Sequence, residues 1–306
     1  MVDDSPVRYQ SDEEDSGRWS AFPFRAGDIV ISTRSKSGTT WMQMICALLV
    51  FRSPELPVPL IELSPWLDWL GAPQDEVFAR LAAQQHRRVI KTHTPLDGLP
   101  LDPRATFILV GRHPLDMAVS LYHQGNNLDR ARISQLTGRP SSGDHATPRP
   151  PLHEWLVGWI DHDASPREEM DSLPGVLWHL SDAWSRRLEP NIVLVHYDDL
   201  CADLDGSMRN IARRLGISVP DEAWPELVSA ARFEQMRARA EALAPDAGHV
   251  MKDRTRFFRR GSSGAGREVL SAAELAHYEA RTKAMVPDDL WTWLHRAPPW
   301  SAGPDE

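Results

Sequence analysis

Four short, mostly apolar runs recur along the chain, at 28 to 32 (DIVIS), 88 to 92 (RVIKT), 106 to 111 (TFILVG) and 192 to 196 (IVLVH). Runs of this length and character are the mark of parallel strands buried on both faces. Helical patterns fill the intervals, at 39 to 51, 75 to 85, 114 to 127 with Pro114 suited to the first turn, 174 to 188, and 205 to 215. Strand and helix in alternation predict an α/β fold, a doubly wound, mainly parallel sheet flanked by helices. Helices are also expected over 221 to 242 and 271 to 296, which makes the C-terminal third largely helical. The stretch GRPSSGDHATPRPP at 138 to 151 is so rich in Pro, Gly and Ser that it is expected as an irregular loop. A length of 306 residues suits a single such domain over 21 to 300.

Several function classes fall away on composition. No apolar run approaches the roughly 18 residues of a membrane span. The opening MVDDSPVRYQSDEEDSG lacks the basic region and apolar stretch of a signal peptide, so the cytoplasm is the expected location. Cys46 and Cys201 are the only cysteines, with no CxxC pair and no Cys/His cluster at metal spacing, so neither a disulfide framework nor a zinc site is expected. The formal charge of −9 argues against a general nucleic-acid binder, but it is unevenly spread. Residues 1 to 15 hold six acids and one arginine, and 1 to 20 are expected as a disordered acidic tail. Residues 251 to 267 (MKDRTRFFRRGSSGAGR) hold six basic residues and one acid, which fits either a local anion site or a solvated basic loop.

The first strand runs into STRSKSGTTW, residues 32 to 41. A strand, a tight polar turn and a helix N-terminus gather unpaired backbone N–H groups and the positive helix end at one spot, the arrangement that cradles a phosphate. The serines and threonines would also serve as plain helix caps. Lys36 weighs toward an anion, because a lysine beside a positive helix end is otherwise unfavourable. A Walker A loop needs G-x-x-x-x-G-K-[ST], whereas the order here is Lys-Ser-Gly-Thr-Thr with no Gly from 31 to 37.

In open parallel sheets ligands sit outside the carboxyl ends of the strands. Those ends carry Lys36, then Lys91 and His93, then Arg112, then His196 and Tyr197. Histidine suits proton removal near neutral pH, with an ordinary surface histidine as the alternative for His93. Arg112 and Ser120, in VGRHPLDMAVSLYH, begin at a strand end and continue along a helix. Arg112 there could clamp a second phosphate in a bidentate contact or make a helix-flanking ion pair.

Taken together, SKSGTTW, KTHTPLDGLP, VGRHPLDMAVSLYH, HYDDL and FFRRG, in that order over about residues 28 to 261, resemble the cytosolic-type sulfotransferases that use 3′-phosphoadenosine 5′-phosphosulfate (PAPS). The resemblance implies a P-loop nucleotide-transferase-like fold and transfer of a sulfuryl group to a hydroxyl. It implies that Lys36, Ser37, Gly38, Thr39 and Thr40 hold the 5′-phosphosulfate, with Trp41 near the adenine. Arg112 and Ser120 would bind the 3′-phosphate together with Arg259, Arg260 and Gly261, while Tyr197 and Phe233 would contact the adenine. His93 would take the acceptor's proton, Lys91 would support it, and Lys36 would stabilise the bridging oxygen. The product would be 3′-phosphoadenosine 5′-phosphate (PAP), and no metal is implied. Family members usually have Pro where Ser35 stands and Ser where Arg232 stands.

Aromatics in FPF (22 to 24), LSPWLDWL (63 to 70) and LHEWLVGWI (152 to 160) are expected to border the cleft or to pack in the core. The acceptor expected is a small or lipid-like, largely apolar hydroxyl compound, with no nucleic-acid partner. A nucleotide kinase, or a noncatalytic nucleotide-binding module on the same fold, is the alternative. The sequence leaves the oligomeric state open.

Overall fold

The computed structural model describes residues 5–139 and 149–296. Its sheet has strands β1 (Ile29–Ser32), β2 (Val89–Thr92), β3 (Thr106–Gly111) and β4 (Ile192–His196), all parallel, in the order β2-β1-β3-β4. Register follows from the pairs Ile31 with Lys91, Ile31 with Ile108, and Gly111 with His196. β1 and β2 are buried at every residue, as the apolar runs demand when helices cover both faces. One core cluster joins Ile29, Ile31, Ile108 and Val195 to the helix Thr39–Phe51 and to helices of the C-terminal third. Another sets Val30, Ile90, Phe107 and Leu109 against Trp19, Phe22 and Leu81.

Chain direction reverses at the centre of this sheet. β1 leads outward to β2 on one side, while β3, on the other side of β1, leads outward to β4. A crevice therefore opens between the carboxyl ends of β1 and β3, the ligand position in doubly wound sheets.

The helix expected at 114 to 127 forms over Pro114–Asn127, with Pro114 in the first turn. The segment 221 to 242 is not one helix. It divides into Asp221–Ala223, Trp224–Ala230, Phe233–Ala238 and Ala240–Leu243, because Arg232 is extended (φ −66°, ψ 145°) and Arg239 leaves helical geometry. The span 271 to 296 also divides, into Ala272–Met285 and Asp288–His295. Val286 precedes Pro287 and is extended (φ −135°, ψ 158°), the conformation a following proline favours. A helix at Leu152–Asp161, absent from the sequence reading, carries Trp155 and Trp159. Of the loop expected at 138 to 151, residues 140 to 148 lie outside the described residues.

The acidic tail expected over 1 to 20 is corrected from residue 5 onward, where the structure describes packed chain. Tyr9 is fully buried, donating to Asp97 at 2.9 Å and accepting from Trp178 Nε1 at 2.9 Å. The acids find partners: Asp15 with Arg8 (2.6 Å), Glu13 with Arg130 (2.8 Å), and Glu14 facing Arg34 (3.6 Å). Composition read this stretch as solvated because the apolar anchors, Tyr9 and Trp19, are few and widely spaced.

Candidate functional site

Residue Gly38 holds φ at 107°, and a Cβ there would come 3.1 Å from the Tyr197 ring. The positive φ favours glycine, and any side chain would also press the Tyr197 ring back by a few tenths of an ångström. Gly38 is also the N-cap of the helix Thr39–Phe51, and no side chain caps it. The capping role available to the serines and threonines is therefore not taken up at the N-cap. Thr39 Oγ1 turns instead to Thr33 Oγ1. The positive end of a 13-residue helix meets the turn at Lys36, whose φ of 64° is a strained value for a residue with a Cβ, costing about 1–3 kcal/mol.

This turn lines a cavity of about 980 Å³. Lys36, Gly38, Thr39, Thr40 and Trp41 border it, while Ser37 is buried beneath and does not. Lys91, His93, Arg112, Ser120, Tyr197, Phe233, Arg259, Arg260 and Gly261 border the same cavity. Residues 36 to 261 in sequence thus meet around one space.

Its cations lean on aromatic rings. Lys36 Nζ lies 3.7 Å from the centre of the Phe257 ring, Lys91 Nζ 3.9 Å from Trp66, and the Arg112 guanidinium 4.2 Å from Tyr197. Burial, with Arg112, Lys91 and Arg259 nearby, lowers Lys36 to about 7. Burial lowers Lys91 to about 8, opposed by the carboxyl of Glu14. Arg259 is also held down, by burial first and then by Arg112. Arg112 Nη1 donates to the Lys36 carbonyl at 2.9 Å, while Nε of Arg112 and Nε of Arg259 are buried without hydrogen-bond partners. Like charges crowded in a partly buried cavity are costly unless an anion sits among them.

His93 is oriented through its backbone and its ring. Nδ1 meets the carbonyl oxygen of Thr33, which can only accept, so Nδ1 bears the hydrogen and Nε2 is left with its lone pair. Burial, reinforced by Lys91 and Arg34, holds the imidazole well below its usual pKa and keeps it neutral. The Trp66 ring stands edge-on to the imidazole at 4.8 Å.

Three residues in this setting were not singled out from sequence. Arg34, buried behind the turn, donates to the His93 carbonyl and to Asp171 Oδ1 at 2.7 Å. Asp116 accepts from Gly264 N at 2.8 Å and Gly266 N at 2.9 Å, pinning the basic loop to the helix that follows β3. Glu14 lines the cavity from the N-terminal segment. Asp116 had a signal, an acid in the first turn of a helix entered from a strand-end arginine; Arg34 lay in the quoted turn; Glu14 was hidden among acids.

Elsewhere on the cavity, Trp41 Nε1 donates to the Ala231 carbonyl at 2.8 Å and its ring stands edge-on to Tyr197 at 5.3 Å. Phe233 lies under Gly261, whose φ is 69° and where a Cβ would come 2.4 Å from the ring. Arg260 is turned outward, paired with Glu268 at 2.6 Å. Among the described residues no group of three or more His, Cys, Asp or Glu side chains is placed to hold a metal ion, and no helix is long and apolar enough to cross a membrane.

The chain as a whole is similar to known proteins. The chain is 40% identical over 312 residues to a glycolipid sulfotransferase of Mycobacterium bovis (strain BCG / Pasteur 1173P2), covering 94% of each. In shape it is similar to a retinol dehydratase crystallised with androsterone and PAP (TM-score 0.68, 20% identity, 89% of this chain and 84% of that one). It is also similar to the mouse sulfotransferase SULT7A1 complexed with PAP (TM-score 0.65, 22% identity, 90% of each). At these identities the two structures establish a shared fold, a parallel sheet flanked by helices. The sulfotransferase domain profile matches residues 26–286, nearly the whole described chain, and with it the protein belongs to the sulfotransferase family.

Proposed function

We infer that this sulfotransferase takes its sulfuryl group from PAPS and delivers it to a hydroxyl of a lipid-like acceptor, a glycolipid being the class that the mycobacterial relative's name points to. The observation that carries the donor assignment is the uncapped N-terminus of the helix Thr39–Phe51, set among Lys36, Arg112 and Arg259 in one cavity. Two separated anionic groups fit it. The backbone N–H groups of Gly38, Thr39 and Thr40 with Lys36 hold the 5′-phosphosulfate, Ser37 shaping the turn from beneath. Arg112, Ser120, Arg259 and the Gly261 backbone hold the 3′-phosphate, and Arg260 lies at its rim. Trp41, Tyr197 and Phe233 border the adenine.

When bound, the donor supplies an activated sulfuryl group already carrying negative charge. The chain positions the partners and places charge. His93 Nε2 accepts the acceptor hydroxyl's proton while Nδ1–H stays on Thr33. Lys36 donates toward the oxygen on which negative charge develops, and Lys91 flanks the reacting hydroxyl. A neutral His93 beside two cations is the protonation state that a base requires.

Calorimetry in EDTA tests the donor assignment. PAP is expected to bind at least a hundredfold more tightly than 5′-AMP, about 2.7 kcal/mol. Equal weak binding of both, or binding of ATP alone and only with magnesium, would replace this reading with a kinase or a noncatalytic nucleotide module.

A further inference from the structure

One wall of the cavity is built from the N-terminal segment and the loop that joins the helices Leu60–Leu63 and Gln74–Ala83. Asp15 N donates to the Asp68 carbonyl at 2.9 Å and Leu70 N to the Glu13 carbonyl at 2.8 Å, a short antiparallel bridge that sets Glu14 opposite Trp69. Glu14 is thereby fixed in a buried position on the cavity, with a side chain only 8% exposed.

Arg34 accounts for it only in part, as an ion-pair partner at 3.6 Å. That guanidinium already binds Asp171 at 2.7 Å and the His93 carbonyl, while Glu14 Oε1 stays 3.6 Å from it, beyond hydrogen-bond distance. Glu14 Oε2 is buried with no hydrogen-bond partner at all. Buried carboxyl oxygens are satisfied in the great majority of proteins, so an orphan on a cavity wall marks a place for a ligand's polar group. Trp66, which borders the same cavity and abuts His93, likewise has a buried Nε1 with no partner. Trp66 and Trp69 are stacked, 6.1 Å apart and 14° from parallel.

We propose that Glu14 is a specificity-determining residue that binds a second hydroxyl of the acceptor, beside the one sulfated, so that the cavity selects polyhydroxylated head groups such as sugars over simple alcohols. The assignment rests on the acceptor-hydroxyl reading above. A sugar offers several hydroxyls, each able to donate and accept, and apolar C–H faces that suit indole rings. Either protonation state of Glu14 can meet a hydroxyl, since the carboxylate accepts and the acid also donates. Burial, together with Asp68 and Asp171 and against the pull of Arg34, raises its pKa to about 8. A site built to bond a hydroxyl discriminates strongly against a ligand that lacks it.

The test uses the full chain with PAP bound, titrated with hexyl β-D-glucoside and with 1-hexanol, in the wild type, Glu14→Gln and Glu14→Leu, with PAP affinity measured on the same samples. The expected result is at least a tenfold preference of the wild type for the glucoside, lost in Glu14→Leu and kept in large part in Glu14→Gln, which preserves a hydrogen-bonding oxygen. PAP affinity stays unchanged in all three, which also shows that the variants are folded. Equal affinity of the wild type for glucoside and alcohol, or a preference untouched by Glu14→Leu, overturns the proposal while leaving the donor site standing. Failure of the wild type to bind PAP would instead strike the donor reading on which the proposal depends.

Discussion

Arg112, at the end of β3, donates through Nη1 to the backbone carbonyl of Lys36, in the turn after β1, at 2.9 Å. One side chain thus ties together the two strand ends between which the chain reverses direction, and it holds a non-glycine residue at a positive φ. Loss of Arg112 removes a brace on the turn and, on the proposed donor reading, a phosphate contact.

Replacing Arg112 by Ala is expected to weaken PAP binding by about 1.5–3 kcal/mol, the range for a hydrogen bond to a charged group. Calorimetry in EDTA measures it. An unchanged affinity would place the 3′-phosphate elsewhere.

His93→Ala is expected to cut transfer by about 10²–10⁴-fold, the contribution of a well-placed base, and to leave PAP affinity essentially as it was. The reason is positional: the Nδ1 side of the ring is held on Thr33, which on the proposed reading leaves the other nitrogen to the acceptor. Steady-state rates alongside nucleotide calorimetry check both halves, and undiminished turnover would remove His93 from its role.

With Lys36 lowered to about 7 and Lys91 to about 8, nucleotide binding beside them is expected to be proton-linked. An anion placed beside them favours their charged forms and raises both pKa values, so near pH 8 binding takes up protons and affinity falls as pH rises further. Near pH 6 both are already charged and uptake shrinks. The binding enthalpy is therefore expected to depend on the buffer's ionisation enthalpy near pH 8 with net proton uptake, and this uptake is expected to vanish toward pH 6, where the nucleotide's own phosphates, with a second pKa of about 6, give up protons instead. The same depressions bear on folding. Each lysine binds fewer protons folded than unfolded between its lowered pKa and 10.5, so its burial cost is greatest below about pH 7 and is relieved as pH rises.

Gly261→Ala is expected to lower PAP affinity tenfold or more, about 1.4 kcal/mol, because the new Cβ would come 2.4 Å from the Phe233 ring as well as sitting at positive φ. Asn tolerates that φ but brings the same Cβ. Gly261→Asn should therefore do no better in the same calorimetric titration, and a recovery with Asn would show that backbone strain alone matters.

The strands and the helix Pro114–Asn127 were legible because buried parallel strands and a proline-started helix leave local signatures. Elements whose course is set by distant partners were not. Nothing within 221 to 242 announces the extended Arg232 that turns Phe233 toward the cavity, since Trp41, 190 positions earlier in sequence, is what seats itself on the Ala231 carbonyl. The residues around the cavity were legible as strand ends and as a basic island, but Ser37 proved to lie beneath the turn, and Glu14 was indistinguishable from its acidic neighbours. Its place depends on a backbone bridge to Trp69, which charge and hydropathy do not encode.

Asp116 grips the amides of Gly264 and Gly266 across 148 and 150 positions of chain. During synthesis the sheet and the first turn can assemble as their segments emerge, but this clasp has no partner until residue 266 has cleared the ribosome. On the proposed donor reading, nucleotide retention by a nascent chain would thus be a late event, and a ribosome-bound chain stalled before that point would carry the strand-end half of the pocket without Arg259.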